Sequence, residues 1–194
     1  DKDIFRVYDT SDASTKSSYF HNSISGYHAA KMRRFNELMS FHIEKGNPEV
    51  FNMLNTKYII YRDDDNQLQY VENDQINGNA WFISTLTAVS NADTEILALD
   101  TLKTKISAVI NKKYHESKSY SIDSEATITL KDYAPNKLVY SSSNVNDGFA
   151  VFSENYYKNG WQVTIDGQEV PHYNVNYVLR GLEIPKGNHT IKFE

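Results

Sequence analysis

The fold is decided by residues 149–193, FAVFSENYYKNGWQVTIDGQEVPHYNVNYVLRGLEIPKGNHTIKF. This stretch alternates apolar and polar residues through short runs that are separated by turns, a pattern typical of half-buried antiparallel strands. Trp161 and Ile165 share one face of a predicted strand, and Asp166 and Gly167 form the dipeptide that favours a tight two-residue hairpin turn. We therefore predict a hairpin between about Trp161 and Tyr173, within an antiparallel β-sandwich that is jelly-roll-like.

The sequence before this stretch mixes helical and strand patterns. Apolar residues recur at intervals of three or four over residues 27–43, which predicts an amphipathic helix that ends before Gly46. Asn47 and Pro48 are typical of a helix start, so a short helix is predicted through Asn55. Strands are predicted at residues 4–8, 57–61, 81–83, 126–130 and 138–140, and a helix near residues 93–102. Residues 104–124 show no clear period, although residues 107–110 could form a strand.

These elements together predict an α+β protein in two parts. Residues 1–115 are expected to form a mixed α/β-like subdomain, and residues 120–194 the β-sandwich subdomain. A chain of 194 residues without cysteine can bury a core without cross-links, and the absence of cysteine fits the bacterial cytoplasm and the cell envelope equally. The net charge of -5 offers no basic surface for a phosphate backbone, so nucleic acid is not an expected partner.

No apolar run approaches the roughly 20 residues of a membrane helix. The sequence begins without methionine or an export signal, and it ends at Glu194 inside a predicted strand. We therefore expect this chain to be a piece of a longer protein.

Residues 153–194 resemble the C-terminal portion of the bacterial YfhO family, polytopic membrane proteins similar to lipid-linked-sugar glycosyltransferases. The most specific element is an ordered series: Tyr156, Tyr157, Gly160, Trp161, Asp166, Gly167, Asn176, Tyr177, Arg180, Gly181 and Leu182. Residues 23–39, 51–61 and 79–82 resemble segments that precede this block in the family. The resemblance implies a soluble domain at the extracytoplasmic face of the bacterial cytoplasmic membrane, anchored by segments that this sequence lacks.

The resemblance also implies what this piece does. In similar enzymes the catalytic acid lies in a loop between early membrane helices, so this piece is expected to be non-catalytic, without a cofactor, even if the parent is a transferase. Its expected role is to bind or position a cell-envelope glycan or a polyprenyl-phosphate sugar, or to stabilise the assembly. The alternatives are an independent carbohydrate-binding or adhesion module and, last, a glycoside hydrolase that uses Glu154 and Asp166 as paired acids.

Aromatic and amide side chains of the C-terminal block could form a sugar-binding platform, because pyranose faces pack on aromatic rings while amides satisfy hydroxyl groups. The alternative is ordinary core and cross-strand packing, which is favoured for Trp161. Arg180 could grip an anion, or form a surface ion pair with Glu183 or Asp166, which is the favoured interpretation. The candidate glycan-binding residues are Tyr156, Tyr157, Trp161, Asn176, Tyr177 and Arg180.

Two other groups of residues are weaker candidates. A loop after the first strand could bind a ligand or could make routine turns; it contains Asp9, Asp12, His21, Asn22, Ser25, Tyr27 and His28. Residues 63–66 faintly resemble a calcium loop but lack its glycine and terminal glutamate, so a solvated turn is predicted. The six histidines show no spacing typical of a zinc site, and no metal is expected.

Overall fold

The computed structural model describes residues 4–11, 16–25 and 32–194. The chain divides into two compact units, Asp1–Gly78 and Asn79–Glu194. Most of the regular structure in the described residues is β, with several antiparallel pairings and a few short helices. The predicted β-rich α+β class is therefore confirmed.

The first unit is built on a three-stranded sheet. Its elements are β1 (Arg6–Asp9), α1 (Lys16–Phe20), α2 (Arg33–Leu38), a π-helix (Met39–Ile43), α3 (Pro48–Met53), β2 (Thr56–Arg62) and β3 (Leu68–Glu72). β2 lies in the middle of the sheet, parallel to β1 and antiparallel to β3. The strands predicted at residues 4–8 and 57–61 are thus confirmed.

The helices of the first unit follow the local signals closely. Asn47 caps α3, because its side-chain oxygen accepts hydrogen bonds from the backbone N–H groups of Glu49 and Val50, and Pro48 occupies the first turn. Phe51 is buried on α3, and its ring lies 5.5 Å from that of Tyr8 on β1. The short helix predicted from the Asn-Pro pair is confirmed.

The longer helix predicted at residues 27–43 is present as two consecutive pieces. Residues 32–43 contain α2 and the π-helix, which together bury Leu38 and Ile43. Residues 27–31 lie outside the described part of the chain. Gly46 follows with a φ of 73°, a conformation that glycine adopts without strain, so the predicted end of the helix is also confirmed.

The second unit contains two sheets and one helix in its described residues. Its elements are β4 (Ala80–Ile83), β5 (Thr85–Val89), α4 (Ala92–Ala98), β6 (Ser107–Asn111), β7 (Lys118–Ser119), β8 (Thr127–Ala134), β9 (Lys137–Asn144), β10 (Gly148–Asn155), β11 (Val163–Ile165), β12 (Gln168–Glu169), β13 (Tyr173–Val175), β14 (Leu179–Ile184) and β15 (Gly187–Phe193). The large sheet has the order β4-β10-β14-β13-β6-β5-β7, and the small sheet β12-β11-β15-β9-β8.

The two sheets of the second unit share one hydrophobic core. The large sheet contributes Ala150 and Phe152 of β10 and Leu182 and Ile184 of β14; the small sheet contributes Leu138 and Tyr140 of β9, Val163 and Ile165 of β11, and Ile191 and Phe193 of β15. The Phe152 ring lies 4.9 Å from both the Tyr140 ring and the Phe193 ring. These contacts join side chains of the two sheets, as the alternating pattern of the sequence requires.

The predicted hairpin is present but shorter than expected. β11 and β12 pair around Asp166 and Gly167, whose φ angles are 50° and 82°. Tyr173 does not belong to this hairpin, because it lies on β13, which pairs with β14 and β6 in the large sheet. Pro171 has no N–H group to donate to a ladder, and the chain passes from the small sheet to the large sheet at this point.

Two further differences concern the boundaries of elements. The run of residues 177–179 reads as a strand in the sequence, but β14 begins only at Leu179, because Asn176 and Tyr177 have positive φ angles of 48° and 71° and form a turn. The units divide after Gly78 rather than between residues 115 and 120. β4 and β6 pair with β10 and β13 of the C-terminal region, which places residues 80–111 in the second unit.

Candidate functional site

A cleft of about 630 Å³ lies beside the β11–β12 hairpin of the second unit. Residues 156–162, where the chain passes from β10 to β11, form one side, and residues 169–172, where it passes from β12 to β13, form another. The cleft therefore lies where two segments cross between the sheets. The lining side chains that matter below are Tyr156, Lys158, Trp161, Glu169, His172 and Glu194, with the amides of Asn159 and Gln162.

Trp161 is the central aromatic residue of this cleft. It is half-buried, packs against the shared core and also lines the cleft. The guanidinium carbon of Arg180 lies 4.1 Å from the centroid of the Trp161 ring, a distance typical of a strong cation–π contact. Trp161 therefore packs against the core, as the favoured prediction has it, and the same side chain is also accessible from the cleft.

Arg180 lies in the interior of the unit. It is only 2% exposed, its Nε donates a hydrogen bond to the backbone oxygen of Asn155 at 3.0 Å, and its guanidinium also lies 5.1 Å from the Phe193 ring. The interpretation of Arg180 as part of a surface ion pair is wrong, because the side chain is not at the surface. Stacking between two aromatic rings lets the guanidinium be buried while its charge remains favourably placed.

His172 lines the cleft, although no pattern in the sequence indicates a site there. Its ring lies 5.0 Å from the Tyr156 ring and 6.1 Å from the Phe193 ring. Burial, followed by the nearby charge of Arg180, lowers the pKa of His172 from 6.5 to about 4. His172 is therefore neutral at physiological pH. The only sequence signal was a histidine directly after Pro171, between two predicted strands.

The two adjacent tyrosines of the candidate list have different environments. Tyr156 is half-buried and lines the cleft, and its backbone N–H donates to the oxygen of Val178 at 2.7 Å. Burial, with a smaller contribution from Tyr114, raises the pKa of the Tyr156 hydroxyl. Tyr157 is 56% exposed and is outside the cleft lining; its ring lies over Gly160, where a Cβ would be 2.4 Å from a ring carbon.

Asn176 and Tyr177 are buried away from the cleft. They are 0% and 4% exposed, respectively. The Asn176 side-chain oxygen accepts from the backbone N–H of Val109 on β6, and the backbone N–H of Tyr177 donates to Glu95 of α4 at 3.2 Å. Of the six predicted glycan-binding residues, the structure thus brings Tyr156 and Trp161 together in the cleft, with Arg180 stacked on Trp161.

The acidic residues predicted as ion-pair partners of Arg180, or considered as the paired acids of a glycoside hydrolase, have other contacts. Glu183 accepts hydrogen bonds from Lys118 Nζ at 2.8 Å and from the Tyr120 hydroxyl at 3.0 Å. Burial raises the pKa of Glu183, but these hydrogen bonds outweigh it and the net shift is downward. Asp166 pairs with His189 across 2.7 Å. Neither Asp166 nor Glu154 lines the cleft.

The pair formed by Asp166 and His189 links the turn between β11 and β12 to the start of β15. His189 Nδ1 contacts Asp166 Oδ2, and His189 Nε2 lies 3.2 Å from the backbone oxygen of Lys186. The hydrogen bond to Asp166 raises the pKa of His189 above its ordinary value of 6.5, and the same contact lowers the pKa of Asp166 below 3.8. When the imidazole is protonated, both of its nitrogens can donate.

We expect the stability of the chain to depend on pH through His189. Its folded pKa lies above the unfolded value, so its stabilisation is complete below about pH 6.5 and is lost as the pH rises through the folded pKa. Urea unfolding of the wild type and of His189→Gln should differ more at about pH 5.5 than at about pH 9. An equal difference at the two pH values would contradict this assignment; the ring protons of His189, followed by NMR, supply an independent titration.

The weaker candidates in the first unit make local turns. Asp9 accepts hydrogen bonds from the backbone and side chain of Ser11, and Ser25 donates to the backbone oxygen of Asp9. Asp12, Tyr27 and His28 lie outside the described residues. The side chain of Asp63 accepts from Gln69 and from two backbone N–H groups of its own turn. Within residues 4–11, 16–25 and 32–194, no group of three or more histidine or acidic residues is arranged to hold a metal ion.

The described helices are all too short or too polar to cross a membrane. No curated protein and no solved structure significantly matches the chain. One family model does match: residues 106–194, from the end of the loop before β6 to the end of the sequence, match the family described as bacterial membrane protein YfhO. This range contains the whole cleft, and over it the resemblance to the YfhO family that the sequence predicted is confirmed.

Proposed function

We propose that this chain is a non-catalytic, extracytoplasmic domain of a membrane protein that resembles lipid-linked-sugar glycosyltransferases, and that it binds a cell-envelope glycan in the cleft beside β11 and β12. One observation carries this proposal: Trp161, Tyr156 and His172 line the same cleft with two side-chain amides. The family match supports a parent that is a membrane protein. The glycan, the extracytoplasmic side and the transferase-like parent are the proposed parts.

The chemistry of the cleft suits a sugar. The face of a pyranose ring presents C–H groups that pack on aromatic rings, while its hydroxyl groups need donors and acceptors at the edge of the same site. Trp161 offers the ring, and Asn159 and Gln162 offer amides that both donate and accept. Arg180, stacked on Trp161 at 4.1 Å, holds the indole in one orientation, which reduces the entropy lost on binding.

The scaffold suits the same purpose. We propose that the two sheets form a jelly-roll-like sandwich, supported by the core that their side chains share. In such a scaffold the segments that cross between sheets are held at both ends by strands. Residues 156–162 and 169–172 are segments of this kind, so the side chains of the cleft are positioned before the ligand arrives.

Trp161→Ala should weaken glycan binding by about tenfold or more, because the ring that packs on the sugar face is lost. A glycan array with the purified 194-residue chain identifies a ligand, and isothermal titration calorimetry then compares the wild type with the variant. Tyr133→Ala is the matched control, since Tyr133 is a 40% exposed aromatic residue on β8, at the opposite edge of the small sheet from β12.

The two variants separate binding from general effects on the fold. Both must retain the wild-type far-ultraviolet circular dichroism spectrum, and Tyr133→Ala should retain wild-type affinity. Equal affinity in Trp161→Ala and the wild type would remove the cleft as the site. The absence of any glycan ligand for the wild-type chain would remove the proposed function itself.

A further inference from the structure

We propose that the cleft recognises an uncharged, hydroxyl-bearing glycosyl unit and not the phosphate of a lipid-linked sugar. This inference rests on the proposed glycan-binding function and makes it specific, because a sugar phosphate needs a cationic site and a neutral sugar does not. Three features of the cleft favour a neutral ligand: the charges that line it, the position of Arg180 and the protonation state of His172.

The charged side chains that line the cleft are unfavourable for a phosphate. Lys158 is the cationic residue among them, and Glu169 and Glu194 are the two acidic residues. All three are exposed side chains. Phosphate sites in proteins are formed by arginine forks, lysines and unpaired backbone N–H groups, which supply charge-assisted hydrogen bonds. The anionic phosphate of a lipid-linked sugar would lie close to two carboxylates in this cleft.

Arg180 does not offer its guanidinium to a ligand in the cleft. It is not among the residues that line the cleft, and its side chain is 2% exposed. Its guanidinium is stacked on Trp161, with Nε directed to the backbone oxygen of Asn155. A bidentate grip on a phosphate requires the planar edge of the guanidinium to reach the ligand. Trp161 lines the cleft, whereas the guanidinium that lies 4.1 Å from its ring is buried.

His172 contributes an aromatic wall without charge. Burial and the neighbouring Arg180 keep its pKa near 4, so the imidazole stays neutral at the pH of most cell surroundings. The Tyr156 hydroxyl has a raised pKa and likewise stays protonated, so it can both donate to and accept from a sugar hydroxyl. The aromatic side of the cleft is therefore uncharged and hydrogen-bonding, as a neutral glycosyl unit requires.

The test compares matched pairs of probes on the intact 194-residue chain. The probes are the methyl glycosides of glucose, galactose and N-acetylglucosamine, their 1-phosphates, and inorganic phosphate. Titrations by NMR or calorimetry are run at low and high sodium chloride. For whichever sugar binds, we expect the methyl glycoside to have at least the affinity of the 1-phosphate. Its dissociation constant should change by less than about twofold across the salt range, because salt does not screen the binding of a neutral ligand. Inorganic phosphate should cause no shift at the cleft.

A charge variant makes the comparison sharper. Glu169→Gln removes one carboxylate from an exposed strand position, so it should raise the affinity for the 1-phosphate relative to the methyl glycoside by about two- to fivefold. A 1-phosphate that binds wild type tenfold more tightly than its methyl glycoside, with strong salt dependence, would overturn the inference while leaving glycan binding intact. If none of the sugars binds, with or without phosphate, the proposed function itself fails.

Discussion

Phe152→Ala is expected to lower the free energy of unfolding of the second unit by about 3–5 kcal/mol, the range found when a large buried aromatic side chain is deleted. Phe152 has no exposed surface and lies on β10 of the large sheet. Its ring is 4.9 Å from Tyr140 and 4.9 Å from Phe193, both on the small sheet. The deletion therefore leaves a cavity between the two sheets, which their strands cannot close without breaking ladder hydrogen bonds.

Urea unfolding followed by tryptophan fluorescence measures this loss, because both tryptophans, Trp81 and Trp161, belong to the second unit. Val145→Ala is the matched control: this residue is 67% exposed in the turn between β9 and β10, and its truncation should change the stability by less than about 0.5 kcal/mol. A loss below about 1 kcal/mol for Phe152→Ala would show that the two sheets do not share a tightly packed core.

Arg180→Ala is expected to cost about 2–4 kcal/mol of stability, which is unusual for a charged residue. The truncation removes a cation held against Trp161 at 4.1 Å and Phe193 at 5.1 Å, and it leaves the backbone oxygen of Asn155 without the donor at 3.0 Å. The loss of packing adds to the loss of the hydrogen bond, because the long stem of arginine fills the interior beneath Trp161. The indole would then be free to reorient.

The companion variant Arg180→Lys distinguishes charge from shape. Lysine keeps the positive charge but has no planar group to stack on a ring, so we expect it to recover less than half of the loss. Urea unfolding gives the stability, and acrylamide quenching should report greater access to Trp161 in both variants, measured with Trp81 buried at 4% exposure as the internal reference. Full recovery by lysine would mean that charge alone, without stacking, accounts for the position of Arg180.

The two variants should differ in their effect on glycan affinity. Phe152 contacts the core and not the cleft, so folded Phe152→Ala protein should bind a glycan as the wild type does. Arg180→Ala should weaken binding even in the folded fraction, since Trp161 would lose the contact that orients it. A double-mutant cycle between Arg180→Ala and Trp161→Ala measures that coupling directly.

The elements that were predicted well are those whose signals are local. The asparagine–proline pair at residues 47–48 caps α3, and the aspartate–glycine pair at residues 166–167 makes the hairpin turn between β11 and β12. Both depend on hydrogen bonds or φ angles within four residues of the signal. The shared strand face predicted for Trp161 and Ile165 is likewise present, because neighbouring side chains of a strand point to opposite faces: Ile165 is in the core and Trp161 packs against it. β10 is instead buried on both faces.

The candidate site was predicted only in part. Its residues come from segments that are distant in the sequence, and the pattern of apolar and polar residues does not indicate which segments lie side by side. Tyr156 and Trp161 were singled out as aromatic residues near a turn, and both line the cleft. His172 was missed, and Asn176 and Tyr177 proved to be buried in a turn held by β6 and α4. Nothing in the local sequence reveals that Glu95, expected at an ordinary helix start, is 1% exposed and accepts a hydrogen bond from Tyr177.

The amino-acid sequence by itself determined the β-rich class of this protein, the hairpin turn at Asp166 and Gly167, the capped helix α3, and the resemblance to YfhO over the part that the family model matches. Local backbone preferences and the two-residue period of strands are enough for these. Only the tertiary structure decided that Tyr173 joins the large sheet and that Arg180 is buried in contact with Trp161. It also decided that the two segments that pass between the sheets line one cleft. These features depend on which strands pair across long separations in the sequence. That pairing is determined by the burial of the hydrophobic core as a whole and not by local backbone preferences.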